Sequence, residues 1–180
     1  PFPSMPIKFW NDKNDIKFKN AYFNKYRNIW HHGDYAEIKS TDGFVIYGRS
    51  DTTLNPGGVR LGTAEIYSEV EKFREIREAI VVGQSWDNDI RIVLFIIMNK
   101  NFSINDNLIK EIKKQIRKNA SPRHVPSKII VVKDIPRTKS GKIVELAVKN
   151  TIEGNKIKNR EALLNPEVLE EYKNLKELEY

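Results

Sequence analysis

The stretch at residues 90–98, IRIVLFIIM, constrains the fold more than any other, because it carries one charge, Arg91, in nine residues. A run this apolar has no polar side to turn towards water, so it reads as a central strand. Just before it, Asp87-Asn88-Asp89 turns the chain after another buried run at 78–84. The two runs are predicted to pair as a hairpin, and residues 128–133 supply a third strand.

Helical patterns flank these strands. Ile66, Val70 and Phe73 recur at i, i+4 and i+7 and predict a helix over 64–76. A second is predicted over 106–118, with Leu108, Ile109, Ile112 and Ile116 inside and lysines and arginines outside; Ser121-Pro122 keeps it from continuing. A third is predicted over 142–152, packing Val144, Leu146, Ala147 and Val148, with Gly154 closing it. After a polar linker at 155–162, Pro166 fits a first helical position, and Val168, Leu169, Tyr172 and Leu175 line a last helix. The order α-β-β-α-β-α after residue 64 predicts an α+β domain of roughly 100 residues, a small three-stranded sheet with flanking helices.

The upstream part differs. Phe2, Phe9, Trp10, Phe18, Tyr22, Phe23, Tyr26 and Trp30 crowd residues 1–30 among turn formers and lysines. Pro1, Pro3 and Pro6 argue against an early helix, and 15–27 reads as a short helix or a loop. These aromatics are expected to pack under a domain that precedes them. Residues 31–50 read as a β-hairpin: a strand at 35–39, the Ser-Thr-Asp-Gly turn at 40–43, and a strand at 44–48.

Composition excludes several classes. No apolar run reaches the roughly 18–20 residues of a membrane span. The opening Pro-Phe-Pro-Ser lacks the basic start and apolar core of a secretion signal. Starting on Pro1 rather than Met, the chain reads as part of a longer protein. Without cysteine there are no disulfides, thiolate chemistry or Cys-ligated metals, which fits a cytoplasmic setting. His31, His32 and His124 show no metal spacing, so no metal site is predicted. The net charge of +7, from 31 basic and 24 acidic residues, reads first as a solvated surface and would also suit a phosphate-bearing ligand. The aromatics cluster before the ordered domain and do not interleave with its basic residues, which argues against a nucleic-acid-binding module.

Two stretches concentrate turn chemistry and charge. In GRSDTTLNPGGVRLGTAE, residues 48–65, lie Arg49, Asp51, Gly57, Gly58 and Arg60. Gly57-Gly58 is either a plain turn or a place where a ligand passes close to bare backbone. Arg49 and Asp51 read as surface residues on spacing alone. The second stretch, PRTKSGK at 136–142, is not a P-loop, because Pro136 stands where that motif needs Gly and Ile143 follows the lysine. It reads as a flexible loop with Lys142 at the start of a helix, either a solvated lysine or a point charge for a phosphate or carboxylate. Asp34, in His-Gly-Asp, is a turn residue or an acceptor for a ribose diol. No base or orienting partner is evident for His124.

In combination, Gly33-Asp34, the GRSD block with Gly58-Val59-Arg60 and Thr63-Ala64-Glu65, and the Pro-x-Thr-x-Ser-Gly-Lys loop resemble, in order and spacing, the carboxy-terminal part of the adenylate-forming superfamily. Within it the likeness is to the acetoacetate-activating branch of the acyl-CoA synthetases, carried by PFPSMPIKFWND, WHHGDYAEI, SPRHVPSKI and NPEVLEEYKNL. The resemblance implies a mobile C-terminal lid domain at 51–180, with a hinge at Asp51, and a C-terminal remnant of the large adenylate-binding domain at 1–50. It implies ATP-dependent activation of acetoacetate to an acyl-adenylate with release of pyrophosphate, then attack by CoA and loss of AMP. By position, Asp34 would bind the ribose, Arg49 the nucleotide, and Arg60 would sit near phosphate. Gly58 would line the pantetheine path, Arg123 would sit near the CoA phosphates, and Lys142 would stabilise charge during adenylation. Mg2+ is expected with ATP, held mainly by the upstream domain.

The chain departs from the family pattern at His32, where many relatives have Thr, and at Ile143-Val144-Glu145, where many have arginines. The family's phosphate loop, adenine pocket and acyl pocket lie upstream of these motifs, so the chain by itself is expected to be inactive. A non-catalytic remnant is the competing reading.

Overall fold

The structure is a computed structural model that describes residues 4–157 and 159–179. The chain forms two compact units, Pro1–Asp34 and Tyr35–Tyr180.

The first unit is organised by aromatic rings. The Asp12 carboxylate accepts the Lys17 and Phe18 amides at 2.9 and 2.8 Å and so starts helix α1 (Ile16–Tyr22). Phe9, Phe18 and Tyr22 then meet edge to face, with centroids 5.5–5.8 Å apart. The aromatics expected to pack under an upstream domain thus pack partly on one another, while Ile7 and Trp10 remain 93% and 96% exposed. Pro1, Phe2 and Pro3 lie outside the described residues.

Strands β1 (Asp34–Ile38) and β2 (Phe44–Arg49) pair as the expected two-stranded sheet. There follow α2 (Thr63–Val70), β3 (Ile76–Trp86), β4 (Asp89–Met98), α3 (Asp106–Asn119), β5 (Lys128–Val131) and α4 (Glu145–Ile152). The main sheet has the order β3-β4-β5, with the apolar strand in the centre. β3 and β4 are antiparallel across Asp87-Asn88, whose φ values of 49° and 59° make the tight hairpin turn that favours Asp and Asn. β4 and β5 are parallel, Val93 opposite Lys128, with α3 as the crossover.

The pleat explains why 90–98 contains no polar alternation. Ile92, Leu94 and Ile96 pack with Ile66 and Val70 of α2 and Ile112 and Ile116 of α3. Val93, Phe95 and Ile97 point the other way, towards Val148 of α4 and Tyr172. Helical layers cover both faces, and each such side chain contributes about 1.5–3 kcal/mol by leaving water. Asn105 caps α3, accepting the Leu108 amide at 2.9 Å.

Three element boundaries differ from the expectation. α2 ends at Val70 rather than 76, because Phe73 and Ile76 bond back three residues and turn the chain into β3; Phe73 packs on the core from that turn. α4 begins at Glu145, three residues after Lys142. The last helix is a 3-10 segment, Pro166–Tyr172, with Leu175 beyond it. It is tied to the body by Tyr172, whose hydroxyl donates to the Asp134 carbonyl at 2.8 Å.

Candidate functional site

The PRTKSGK loop is a tightly bonded turn rather than the flexible loop expected. Thr138 N–H donates to the Lys142 carbonyl and Gly141 N–H to the Thr138 carbonyl, both at 2.8 Å. The Lys142 amide donates to Thr138 Oγ1 at 3.1 Å. Gly141 takes φ +84°, and a Cβ there would meet nothing within 4 Å. Outside the turn, Arg137 donates to the Glu78 carboxylate of β3 and, at 3.3 Å, to the Gly141 carbonyl. The Leu164 amide donates to the Arg137 carbonyl at 2.8 Å. Lys142 is therefore an exposed cation on a fixed backbone, and it stands in this turn rather than at a helix start.

The turn borders a cleft of about 510 Å³. Its lining includes Gly48, Arg49 and Asp51 after β2, Thr63 and Tyr67 of α2, and Lys142 and Glu145. Arg49 and Asp51 thus share one cleft with Lys142, some ninety positions further along the sequence. Arg49 donates to the Asp51 carboxylate at 3.3 Å, and Thr53 Oγ1 donates to the Arg49 carbonyl at 2.9 Å, which fixes the turn after β2. The cleft presents two cations, Arg49 and Lys142, two carboxylates, Asp51 and Glu145, and an apolar surface that includes Val144 and Leu146.

Gly58, Arg60 and Arg123 do not line this cleft. Leu54 and Leu61 exchange amide hydrogen bonds of 3.0 and 2.9 Å and close off the loop between them. Inside it, Gly57 and Gly58 take φ +58° and +77°. The Gly57 amide donates to the Asp89 carboxylate at 2.9 Å. A Cβ on Gly57 would stand 3.3 Å from the Arg123 guanidinium, whereas one on Gly58 would meet nothing within 4 Å. Gly57, Gly58 and Arg123 therefore form a second locus, and Arg60 is an exposed residue of its loop. Asp34 closes the first unit, and its carboxylate is held by His32 Nδ1.

Several functional neighbours escaped the sequence reading. Tyr67 donates to Glu145 Oε1 at 2.5 Å and accepts the Val81 amide at 3.0 Å. Burial first, and then the Glu145 carboxylate, push its phenol well above the usual range. His124 is 5% exposed, with Nδ1 on Ser121 Oγ at 2.8 Å and Nε2 on Glu65 Oε2 at 2.9 Å. The orienting partner missing from the sequence reading is Glu65, 59 residues away, and it makes His124 a tie between α2 and the Arg123 turn. No local pattern signals such contacts; only the buried face of α2 could have marked Tyr67 as a neighbour. Among the described residues no three His, Asp or Glu are grouped to hold a metal ion, so these residues do not fit a Mg2+ site. No helix of the described residues is long and apolar enough to cross a membrane.

Known proteins share this sequence and fold. The family described as the AMP-binding enzyme C-terminal domain matches residues 65–142. The chain is 56% identical over 177 residues to acetoacetyl-coenzyme A synthetase of Rhizobium meliloti, and 48% identical over 181 residues to acetoacetyl-CoA synthetase of Xenopus tropicalis. These matches cover 98% and 99% of the chain but 27% of each relative. The chain thus spans about a quarter of the length of the curated relatives it matches. The solved acetoacetyl-CoA synthetase of Streptomyces lividans superposes with a TM-score of 0.86 at 40% identity, covering 96% of this chain and 26% of that one. ATP-bound MatB of Rhodopseudomonas palustris, 20% identical with a TM-score of 0.66, shares the fold. Residues 65–142 belong to the C-terminal domain family of AMP-binding enzymes, and nearly the whole chain is similar to the C-terminal quarter of acetoacetyl-CoA synthetases.

Proposed function

We propose that the chain is the C-terminal part of an ATP-dependent acid–thiol ligase that makes acetoacetyl-CoA, AMP and pyrophosphate from acetoacetate, ATP and CoA. The observation that carries this reading is the shared cleft, where Lys142, Arg49 and Asp51 converge. In the adenylation step a carboxylate oxygen attacks the α-phosphorus and pyrophosphate leaves. Negative charge grows on the phosphoryl oxygens, and the Lys142 ammonium stabilises it where it develops. Arg49 holds the nucleotide, Asp34 accepts from the ribose hydroxyls, and Arg60 lies near phosphate. Asp51 is the hinge between 1–50, the end of the large domain, and the lid at 51–180. Gly58 and Arg123 serve CoA, a reading supported by the open space over Gly58 and the guanidinium beside its neighbour. The partner is the upstream domain of the same enzyme, which supplies the acyl pocket and any Mg2+ that accompanies ATP. The lack of cysteine supports a cytoplasmic setting.

The test uses a chimera in which the upstream part of the Rhizobium meliloti relative is joined to this chain. It is expected to form acetoacetyl-CoA. Lys142→Ala is expected to lower acetoacetate-dependent pyrophosphate exchange by at least about a hundredfold and to harm thioester formation from preformed acyl-adenylate far less. Full exchange in the Lys142→Ala variant would overturn the role given to this lysine.

A further inference from the structure

Lys142 has a fixed backbone, but something must fix that backbone relative to the sheet. On its upstream side Arg137 does so, through Glu78 of β3. On its downstream side the chain passes through Ile143 and Val144 before α4 begins, and α4 has no side-chain cap at its first turn. Glu145, the first residue of α4, turns its carboxylate to Tyr67 instead.

The Tyr67 hydroxyl has two bonds of opposite sense. It accepts from the Val81 amide of β3 and donates to Glu145 Oε1, so a relay runs from the sheet through α2 to the start of α4. The relay spans 78 residues of sequence and borders the cleft that holds Lys142 and Arg49. Glu145 is half-buried, and a bond to a carboxylate is stronger than one between neutral groups. Without Tyr67 the 142–145 segment would keep the Val144 amide bond to the Pro136 carbonyl at 3.0 Å but lose its side-chain tie to the sheet.

We propose that Tyr67 and Glu145 are positioning residues that set where Lys142 stands during adenylation, through the Val81–Tyr67–Glu145 relay. This rests on the reading of Lys142 given above. Neither residue touches a reacting atom. They fix the geometry of the group that does, and a misplacement of about 1 Å at such a group is enough to slow a reaction markedly. Glu145 acts as an internal anchor at the edge of the cleft.

The experiment uses the same chimera with Tyr67→Phe, Glu145→Ala, Glu145→Gln and the Tyr67→Phe/Glu145→Ala double variant. Tyr67→Phe and Glu145→Ala are each expected to slow kcat of pyrophosphate exchange about tenfold, with KM for ATP changed less than about twofold. The double variant is expected to be no slower than the slower single one, because both remove one link. Glu145→Gln, which still offers a carbonyl oxygen to the phenol, is expected to recover most of the rate. Conversion of preformed acetoacetyl-adenylate is expected to stay near the parent rate. Equal losses in both half-reactions, or full exchange in Tyr67→Phe while Lys142→Ala abolishes it, would overturn the relay. Full exchange in Lys142→Ala would instead overturn the reading beneath it. Amide hydrogen exchange on the 180-residue chain is a second readout. Tyr67→Phe is expected to speed exchange at Lys142 and Val144 about tenfold without changing α3, and unchanged rates at both would also overturn the proposal.

Discussion

Gly62 shows what a single position can hide. It precedes α2 with φ −82°, an ordinary value that any residue can adopt. A Cβ there would nevertheless stand 2.4 Å from the Tyr47 carbonyl oxygen and 2.7 Å from the Tyr47 Cβ. The glycine is required by close approach, not by torsion, and it lets β2 lie against the start of α2. Gly62→Ala is expected to destabilise the chain by about 1–3 kcal/mol, the usual cost of overpacking against backbone. Urea unfolding checks this, and a loss below about 0.5 kcal/mol would mean that the contact relaxes freely. The glycines that stand out in the sequence, Gly57 and Gly58, are those whose positive φ makes a turn. Turn chemistry is local and so legible. The approach of a strand fifteen residues away is not. The same divide runs through the site: the motif positions of Lys142 and Arg49 were readable, while the Tyr67 and Glu65 contacts depend on packing between distant segments.

Elements were legible where one period ran uninterrupted. The β3–β4 hairpin and α3 were expected nearly as they are, since their apolar patterns end at strong turn or capping signals. α2 was extended too far because Phe73 continues the helical period, although it packs from a turn. The parallel pairing of β5 depends on how α3 crosses the sheet, which no residue pattern states. The α2–α3 contact also holds a buried carboxylate. Glu69 accepts from Lys72 Nζ at 2.6 Å, from Asn119 at 2.8 Å and from Gln115 at 3.0 Å. These bonds, Lys72 first, hold its pKa below the usual 4.5. A lowered folded-state pKa means stability that is fully present above the unfolded value and lost as pH falls through the folded one. The destabilisation caused by Glu69→Gln is therefore expected to be largest near neutral pH and to shrink below about pH 4.5. Urea midpoints of parent and variant at pH 7 and pH 3.5 measure it, and a difference that is the same at both would contradict the assignment.

At the scale of the second unit, the two candidate loci hang from opposite ends of one strand. Arg137, at the base of the Lys142 turn, is bonded to Glu78 near the start of β3. Gly57 is bonded to Asp89, which pairs with Trp86 at the other end of β3. Eight residue steps of extended chain separate Glu78 from Trp86, roughly 27 Å. On the function proposed above, in which one locus serves adenylation and the other CoA, a domain with its anchors that far apart would present them in turn, and the two half-reactions are then expected to be separable by mutation. In the chimera, Lys142→Ala is expected to depress pyrophosphate exchange more than thioester formation. Gly58→Val, which fills the open space beside the backbone and strains a φ of +77°, is expected to show the opposite bias. The ratio of the two half-reaction rates should therefore move in opposite directions by at least about tenfold each, a difference of about 1.4 kcal/mol in barrier. Single-turnover measurement of each step gives these ratios directly. Variants that lower both steps by the same factor would show that the two ends of β3 serve one arrangement of the lid, and alternation about Asp51 would fall with them.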